Sequence, residues 1–147
     1  MSDQEPKDVS SAAYQDRILS HARHPVGYTE EMAGAAAFTA TNPLCGDEVT
    51  VMVLTEADGR LKLGYHCRSC LLCKASASIM VSSLSGSTMP AARDLIGRFK
   101  RAFEGSSSMQ TNDFSDDMRA IFDLQRYPTR MSCVLLPWDA AAKLLYN

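Results

Sequence analysis

A chain of 147 residues with 46% hydrophobic and 22% charged side chains has the make-up of one folded domain around a single core, not of a disordered or fibrous polymer. Its formal net charge is -2, and its densest basic stretch, residues 93–101, is interrupted by Asp94, Leu95, Ile96, Gly97 and Phe99; a phosphate-binding face, and with it a nucleic-acid partner, is not expected. The polar start MSDQEPKDVSS is no signal peptide and no run of about 18 apolar residues offers a membrane span, so the five cysteines are expected in a reducing cytoplasm, where they point to metal or redox chemistry more than to structural disulfides.

Residues 1–9, rich in Ser, Asp, Glu, Pro and Lys, read as a loose tail. Over residues 10–23, Tyr14, Ile18 and His21 or Ala22 recur at helical spacing, and Pro25 closes the segment. Residues 35–41 read as a short strand, against three alanines that favour helix. Residues 48–55 place Val49, Val51 and Val53 on one side of a strand. Asp58-Gly59 then supplies a turn, and Leu61, Leu63 and Tyr65 resume the alternation, a hairpin that delivers the chain to Cys67.

Residues 71–84 have a helical pattern with Gly86 as a stop. Residues 91–103 form an amphipathic helix with Leu95, Ile96, Phe99 and Phe103 on its apolar stripe. Gly105, Ser106, Ser107 and Ser108 read as a flexible link. A further helix over residues 115–124 carries Met118, Ile121 and Phe122, and the last runs through Trp138, Ala141, Leu144 and Leu145. A hairpin followed by helices predicts an α+β domain over residues 1–147, a small antiparallel sheet of about three strands packed with several helices.

The chemistry lies in the cysteines. Cys45 sits in Asn42-Pro43-Leu44-Cys45-Gly46-Asp47, where Pro43 stiffens the approach and Gly46 permits unusual backbone geometry. Such a turn aims a thiol and a carboxylate at one point, both ligands for zinc or iron; equally it is a tight turn with a buried Cys and a capping Asp. Cys67-Arg68-Ser69-Cys70-Leu71-Leu72-Cys73 overlaps two C-x-x-C spacings, open to metal, redox disulfide or packing. Cys70 lies where strand hands over to helix, and the positive helix end favours a thiolate there, as nucleophile or ligand. Leu71 and Leu72 are expected to pull the next turn towards the core, so Cys73 there is expected to be a small core residue, and Cys67 faces either way near the same site.

If Ser132 caps the last helix, Pro137 falls near the end of its first turn and Cys133 occupies another helix N-terminus. Arg130, three residues before, either supports an anionic thiolate or persulfide or pairs on the surface. Three thiols and one carboxylate make a mixed ligand set, weaker and more exchangeable than the Cys and His of structural zinc.

The Cys45 motif, Cys70 followed by Ala75-Ser76-Ala77-Ser78-Ile79-Met80, Arg130-Met131-Ser132-Cys133, and Tyr14-Gln15-Asp16-Arg17-Ile18-Leu19-Ser20-His21 with Pro25 together resemble the NifU/IscU/SufU iron–sulfur cluster assembly scaffolds over roughly residues 14–145. The resemblance puts Cys70 at the family's second cysteine. It implies a small sheet with surrounding helices, and Cys45, Asp47, Cys70 and Cys133 clustered at one end, holding zinc, iron or a transient [2Fe-2S] cluster. It further implies sulfur receipt from a cysteine desulfurase, with Cys133 the acceptor candidate and Arg130 supporting it, and onward delivery to iron or cluster acceptor proteins. Such a protein is a scaffold and no enzyme, beyond a zinc-dependent sulfur relay.

The long stretch between Met80 and Cys133, Arg130, and Ser132 where IscU-like members carry histidine resemble the SufU-like branch. Cys67 and Cys73 are additions to the pattern and, with His66, stand as alternative or auxiliary ligands. Two competing readings remain: a purely structural zinc module, and a dithiol oxidoreductase on Cys67-x-x-Cys70 or Cys70-x-x-Cys73, which lacks the βαβ context of a thioredoxin-like motif.

Overall fold

Val49, Val51 and Val53 are all buried along one side of β2 (Asp47–Thr55) in a computed structural model that describes residues 5–44, 46–104 and 114–146. After the Asp58-Gly59 turn, where Gly59 takes a φ of 85°, β3 (Leu61–Arg68) returns antiparallel, setting Tyr65 opposite Val51 and Cys67 opposite Val49. β1 (Ala36–Asn42) adds to the other edge of β2, with Asn42 opposite Asp47, so the sheet order is β1-β2-β3. Pairing along the whole of β1 overrides the helix preference of its alanines, as tertiary context commonly does. The expected α+β architecture with a three-stranded antiparallel sheet is what the chain forms.

Helix α1 (Glu5–Arg23) begins before the segment read from periodicity. Residues 5–9 are helical where composition predicted a loose tail. Helix α2 (Leu71–Leu84) has the predicted bounds and is the central element, with Cys73, Ala75 to Val81 and Leu84 buried. It packs against α1, β3 and the last helix, α5 (Met131–Leu145). Between them come α3 (Met89–Phe103), capped by the Thr88 hydroxyl, and α4 (Asp116–Asp123), capped by Ser115. On α3, Ala92 joins Ile96, Phe99 and Phe103 in the buried stripe, and Leu95 packs half-buried against it. The Gly-Ser link lies outside the described residues.

Small residues on α2 let its neighbours come close, and its serines clamp them. Ser76 Oγ donates to the Val134 carbonyl at 2.7 Å and accepts the Trp138 indole N–H at 3.0 Å, fixing α5 to α2. Ser78 Oγ accepts the Val26 N–H at 2.7 Å and meets His21 Nδ1 at 2.7 Å, fixing α1. His21 Nε2 in turn reaches Asp117 on α4 at 2.9 Å. Trp138 stacks on Phe99 with centroids 3.8 Å apart, and Phe103, Phe114 and Phe122 complete an aromatic cluster between α3, α4 and α5. These clamps decide where the first turn of α5 stands relative to the first turn of α2.

Candidate metal centre

Three of the expected ligands come from three element ends that the core brings together. Asp47 opens β2, Cys70 is the N-cap of α2, and Cys133 lies in the first turn of α5. One ligand atom from each lies within 4.8 Å of the other two. Asp47 is 6% exposed. Its Oδ1 accepts the Cys70 backbone N–H at 3.2 Å, while Oδ2 is buried with no hydrogen-bond partner among the described residues. A buried carboxylate oxygen left unpaired is costly, and a cation between it and two thiols relieves that cost. Zinc bonds of about 2.3 Å to sulfur and about 2.0–2.2 Å to oxygen require the three atoms to close in by roughly 1 Å at most, within the reach of side-chain rotation. The donor set therefore fits a thiophilic divalent metal or an iron–sulfur cluster.

Cys45 lies outside the described residues. The turn that carries it is defined on either side: Gly46 takes a φ of 76° and donates its N–H to the Asn42 carbonyl at 2.7 Å. Space allows a Cβ at Gly46, so the left-handed backbone, and not crowding, calls for glycine there. Asn42 is a residue the sequence reading passed over. Its Oδ1 accepts the Leu44 N–H at 3.1 Å and its Nδ2 donates to Ser132 Oγ at 3.0 Å. One buried side chain thus ties the turn holding Cys45 to the helix holding Cys133. The Asn-Pro pair gives a signal only for the first of these roles, as an Asx-type turn.

The entry into α5 differs from expectation. A 3-10 turn, Pro128–Arg130, runs into the helix and puts Arg130, not Ser132, at the cap position. The chain is already helical on arrival, so no side-chain cap is needed, and the Ser132 hydroxyl serves Asn42 instead. Pro137 consequently lies inside α5, past its first turn, and has no N–H to offer the Cys133 carbonyl four residues back. Cys133 keeps its place in the first turn and is buried. Arg130 is exposed.

The extra thiols and His66 do not join the three converging atoms among the described residues. Cys73 is wholly buried, the packing role expected of it. Burial pushes its thiol from near 9 up to about 12, with the charges of Cys67, Asp47 and Cys70 adding to the effect and the Ser69 hydroxyl partly offsetting it. Between those two values the unfolded chain releases this proton while the folded chain keeps it, so the folded state binds more protons and loses stability as pH rises. Urea unfolding is therefore expected to show a decline in stability above about pH 9 that Cys73→Ala lessens.

Cys67 is half-buried, and burial raises its thiol as well. His66 is half-buried opposite Thr50. Leu71 departs from expectation: at 61% exposure it faces solvent beside Cys70, as Leu44 does at 94% beside Cys45. Only Leu72 turns inward, towards Tyr14, Ile18 and Leu19.

A buried carboxylate and two thiols thus meet where β2, α2 and α5 come together in an α+β domain, a donor set that could hold a metal ion. The sequence profile described as NifU-like N terminal domain matches residues 13–143, and the chain belongs to that family. It is 23% identical over 130 residues to the zinc-dependent sulfurtransferase SufU of Bacillus subtilis (strain 168), covering 88% of this chain and 87% of that protein. It is 22% identical over 127 residues to the iron-sulfur cluster assembly scaffold protein IscU of Streptococcus pyogenes serotype M1, covering 86% and 79%. Among solved structures, a scaffold-protein candidate for the SUF system from Fervidobacterium islandicum AW-1 shares the fold with a TM-score of 0.69 and 23% identity, over 85% of this chain and 90% of that one.

Proposed function

We propose that this chain is an iron–sulfur cluster assembly scaffold or sulfur acceptor, which takes sulfur from a cysteine desulfurase and holds zinc, iron or a nascent cluster through Cys45, Asp47, Cys70 and Cys133. The observation that carries this reading is the approach of the Asp47, Cys70 and Cys133 ligand atoms to within 4.8 Å, with Asp47 Oδ2 buried and awaiting a partner. The names SufU and IscU borne by relatives support it. Thiolates hold soft metals and clusters, and a single hard carboxylate among them makes the set exchangeable, as cargo that is to be handed on requires. The cytoplasm is the compartment where these thiols stay reduced; no helix among the described residues is long and apolar enough to cross a membrane.

In the sulfur step a thiolate attacks the outer sulfur of the desulfurase persulfide, forms its own persulfide, and releases the desulfurase cysteine as thiolate. Cys133, the acceptor implied by the resemblance, is buried while Cys70 is half-exposed. Sulfur from a partner therefore meets Cys70 first, with the Cys133 sulfur within 4.8 Å of it. Arg130, at the head of α5, supports the anionic persulfide. Supplying desulfurase, cysteine and iron to the reduced protein is expected to yield a persulfide by mass spectrometry and then a visible absorption band. A protein that gains neither overturns the proposal.

A purely structural zinc site is the competing reading, and metal removal separates the two. Chelation is expected to leave the fold intact, whereas a structural site unfolds when its metal is withdrawn. Asp47→Ala removes the weakest ligand and no thiolate, so a bound cluster is expected to persist longer in the variant. Decay of cluster absorbance on addition of a chelator measures this, and faster loss counts against the role given to Asp47.

A further inference from the structure

We infer that Cys70 and Cys73 form a working dithiol, in which Cys73 resolves a persulfide on Cys70 and discharges its outer sulfur as sulfide. The inference rests on the reading that sulfur reaches Cys70, and it gives a role to a thiol that ligation leaves unused.

The geometry is that of a helix N-terminus. Cys70 is the N-cap of α2, with φ -70° and ψ 166°, and the Lys74 N–H closes the first turn on its carbonyl at 3.1 Å. Cys73 is then the third helical residue. The N-cap and third positions face each other across the first turn, which is why capping boxes form between them. On a helical cylinder their Cα atoms stand about 5 Å apart, inside the roughly 4.4–6.8 Å that a disulfide spans. The Cys70 side chain makes no capping hydrogen bond, so its sulfur is not held by the helix amides. Exposure divides the labour: Cys70 is half-exposed and meets a donor, while Cys73 is at 0% and is reached only from within. Cys67 belongs to β3, opposite Val49 in the sheet, but its charge also reaches Cys73, which makes it the competing partner that the peptide masses distinguish. The strand-to-helix handover thus supplies the feature that a dithiol motif needs, without a second parallel strand.

The step balances. The Cys73 thiol gives its proton to the anionic outer sulfur as Cys73 Sγ attacks Cys70 Sγ; the Cys70–Cys73 bond forms as the bond from Cys70 Sγ to the outer sulfur breaks. The outer sulfur gains two electrons and leaves as hydrosulfide, carrying the proton from the Cys73 thiol, while the two cysteine sulfurs are each oxidised by one electron. A dithiol reductant restores the pair by thiol–disulfide exchange. Cluster assembly consumes sulfur as sulfide, whereas a persulfide carries it at the level of elemental sulfur, so the dithiol closes that two-electron gap.

The test loads the chelator-treated full chain with sodium polysulfide, removes excess without air, and follows released sulfide together with tryptic peptides. Cleavage after Arg68 and Lys74 puts Cys70 and Cys73 in one peptide, residues 69–74, and Cys67 in another, residues 63–68. The protein is expected to release one sulfide per Cys70 persulfide, and peptide 69–74 to lose two hydrogens. Cys67→Ser is expected to behave alike, and Cys73→Ala to keep its persulfide with release slowed on the order of tenfold or more. A persulfide that persists on Cys70 of the unaltered chain, a cross-link between the two peptides, or undiminished release from Cys73→Ala overturns the inference. If Cys73→Ala does not fold, the peptide masses of the parent chain and of Cys67→Ser decide alone. Polysulfide bypasses the desulfurase. A chain that discharges polysulfide sulfur yet accepts none from a desulfurase therefore refutes the scaffold reading only, and one that accepts but never discharges refutes only the dithiol.

Discussion

Cys133→Ser is expected to lower zinc affinity by about a hundredfold or more, since outer-shell partners of ligands alone are commonly worth 10–100-fold. The reasoning is local. Cys133 is buried in the first turn of α5, within 4.8 Å of the Asp47 and Cys70 donors, and no other His, Cys, Asp or Glu among the described residues joins that group. Exchanging sulfur for oxygen changes little in volume, so the fold is expected to hold while the soft ligand is lost. Competition against a chromophoric zinc chelator measures the effect, with far-UV circular dichroism as the control. An affinity equal to that of the parent chain would place the metal elsewhere.

Trp138→Ala is expected to be the most destabilising single change, at about 3–5 kcal/mol. The indole is wholly buried, stacks on Phe99 at 3.8 Å, and donates to Ser76 Oγ at 3.0 Å. Truncation opens a cavity at the junction of α2, α3 and α5 and strips Ser76 of a partner. Because that junction sets α5 against α2, metal affinity is expected to fall with stability, although Trp138 touches no ligand. Trp138→Phe keeps a ring in place and loses the N–H, so its cost is expected to be nearer 1 kcal/mol. Urea unfolding separates the three proteins; a Trp138→Ala midpoint close to that of the parent would show that the clamp is not what holds α5.

What the sequence disclosed, and what it hid, follows from the range of each interaction. The β2–β3 hairpin was legible because alternation at Val49, Val51, Val53 and then Leu61, Leu63, Tyr65 is local and has one period. Cys70 was legible as a helix-end thiol because strand pattern gives way to helix pattern at that residue. The start of α5 was not, since Ser132 has the chemistry of a cap and only the preceding 3-10 turn makes it unnecessary. The Asn42–Ser132 bond joins residues 90 apart, and nothing local announces it. Leu71 beside Leu72 looked like one apolar pair bound for the core; helical geometry splits them, sending Leu72 inward and Leu71 to solvent. The convergence of Asp47 with Cys70 and Cys133 was implied by family resemblance and by no spacing in the chain, because it depends on how α2 and α5 pack.

X-ray absorption at the zinc edge of the zinc-loaded protein tests the central claim most directly. A shell dominated by sulfur at about 2.3 Å with one light ligand at about 2.0–2.2 Å, the light ligand altered in Asp47→Ala and a sulfur lost in Cys133→Ser, is the result predicted. A shell of nitrogen and oxygen alone, or one unchanged by both substitutions, would contradict it.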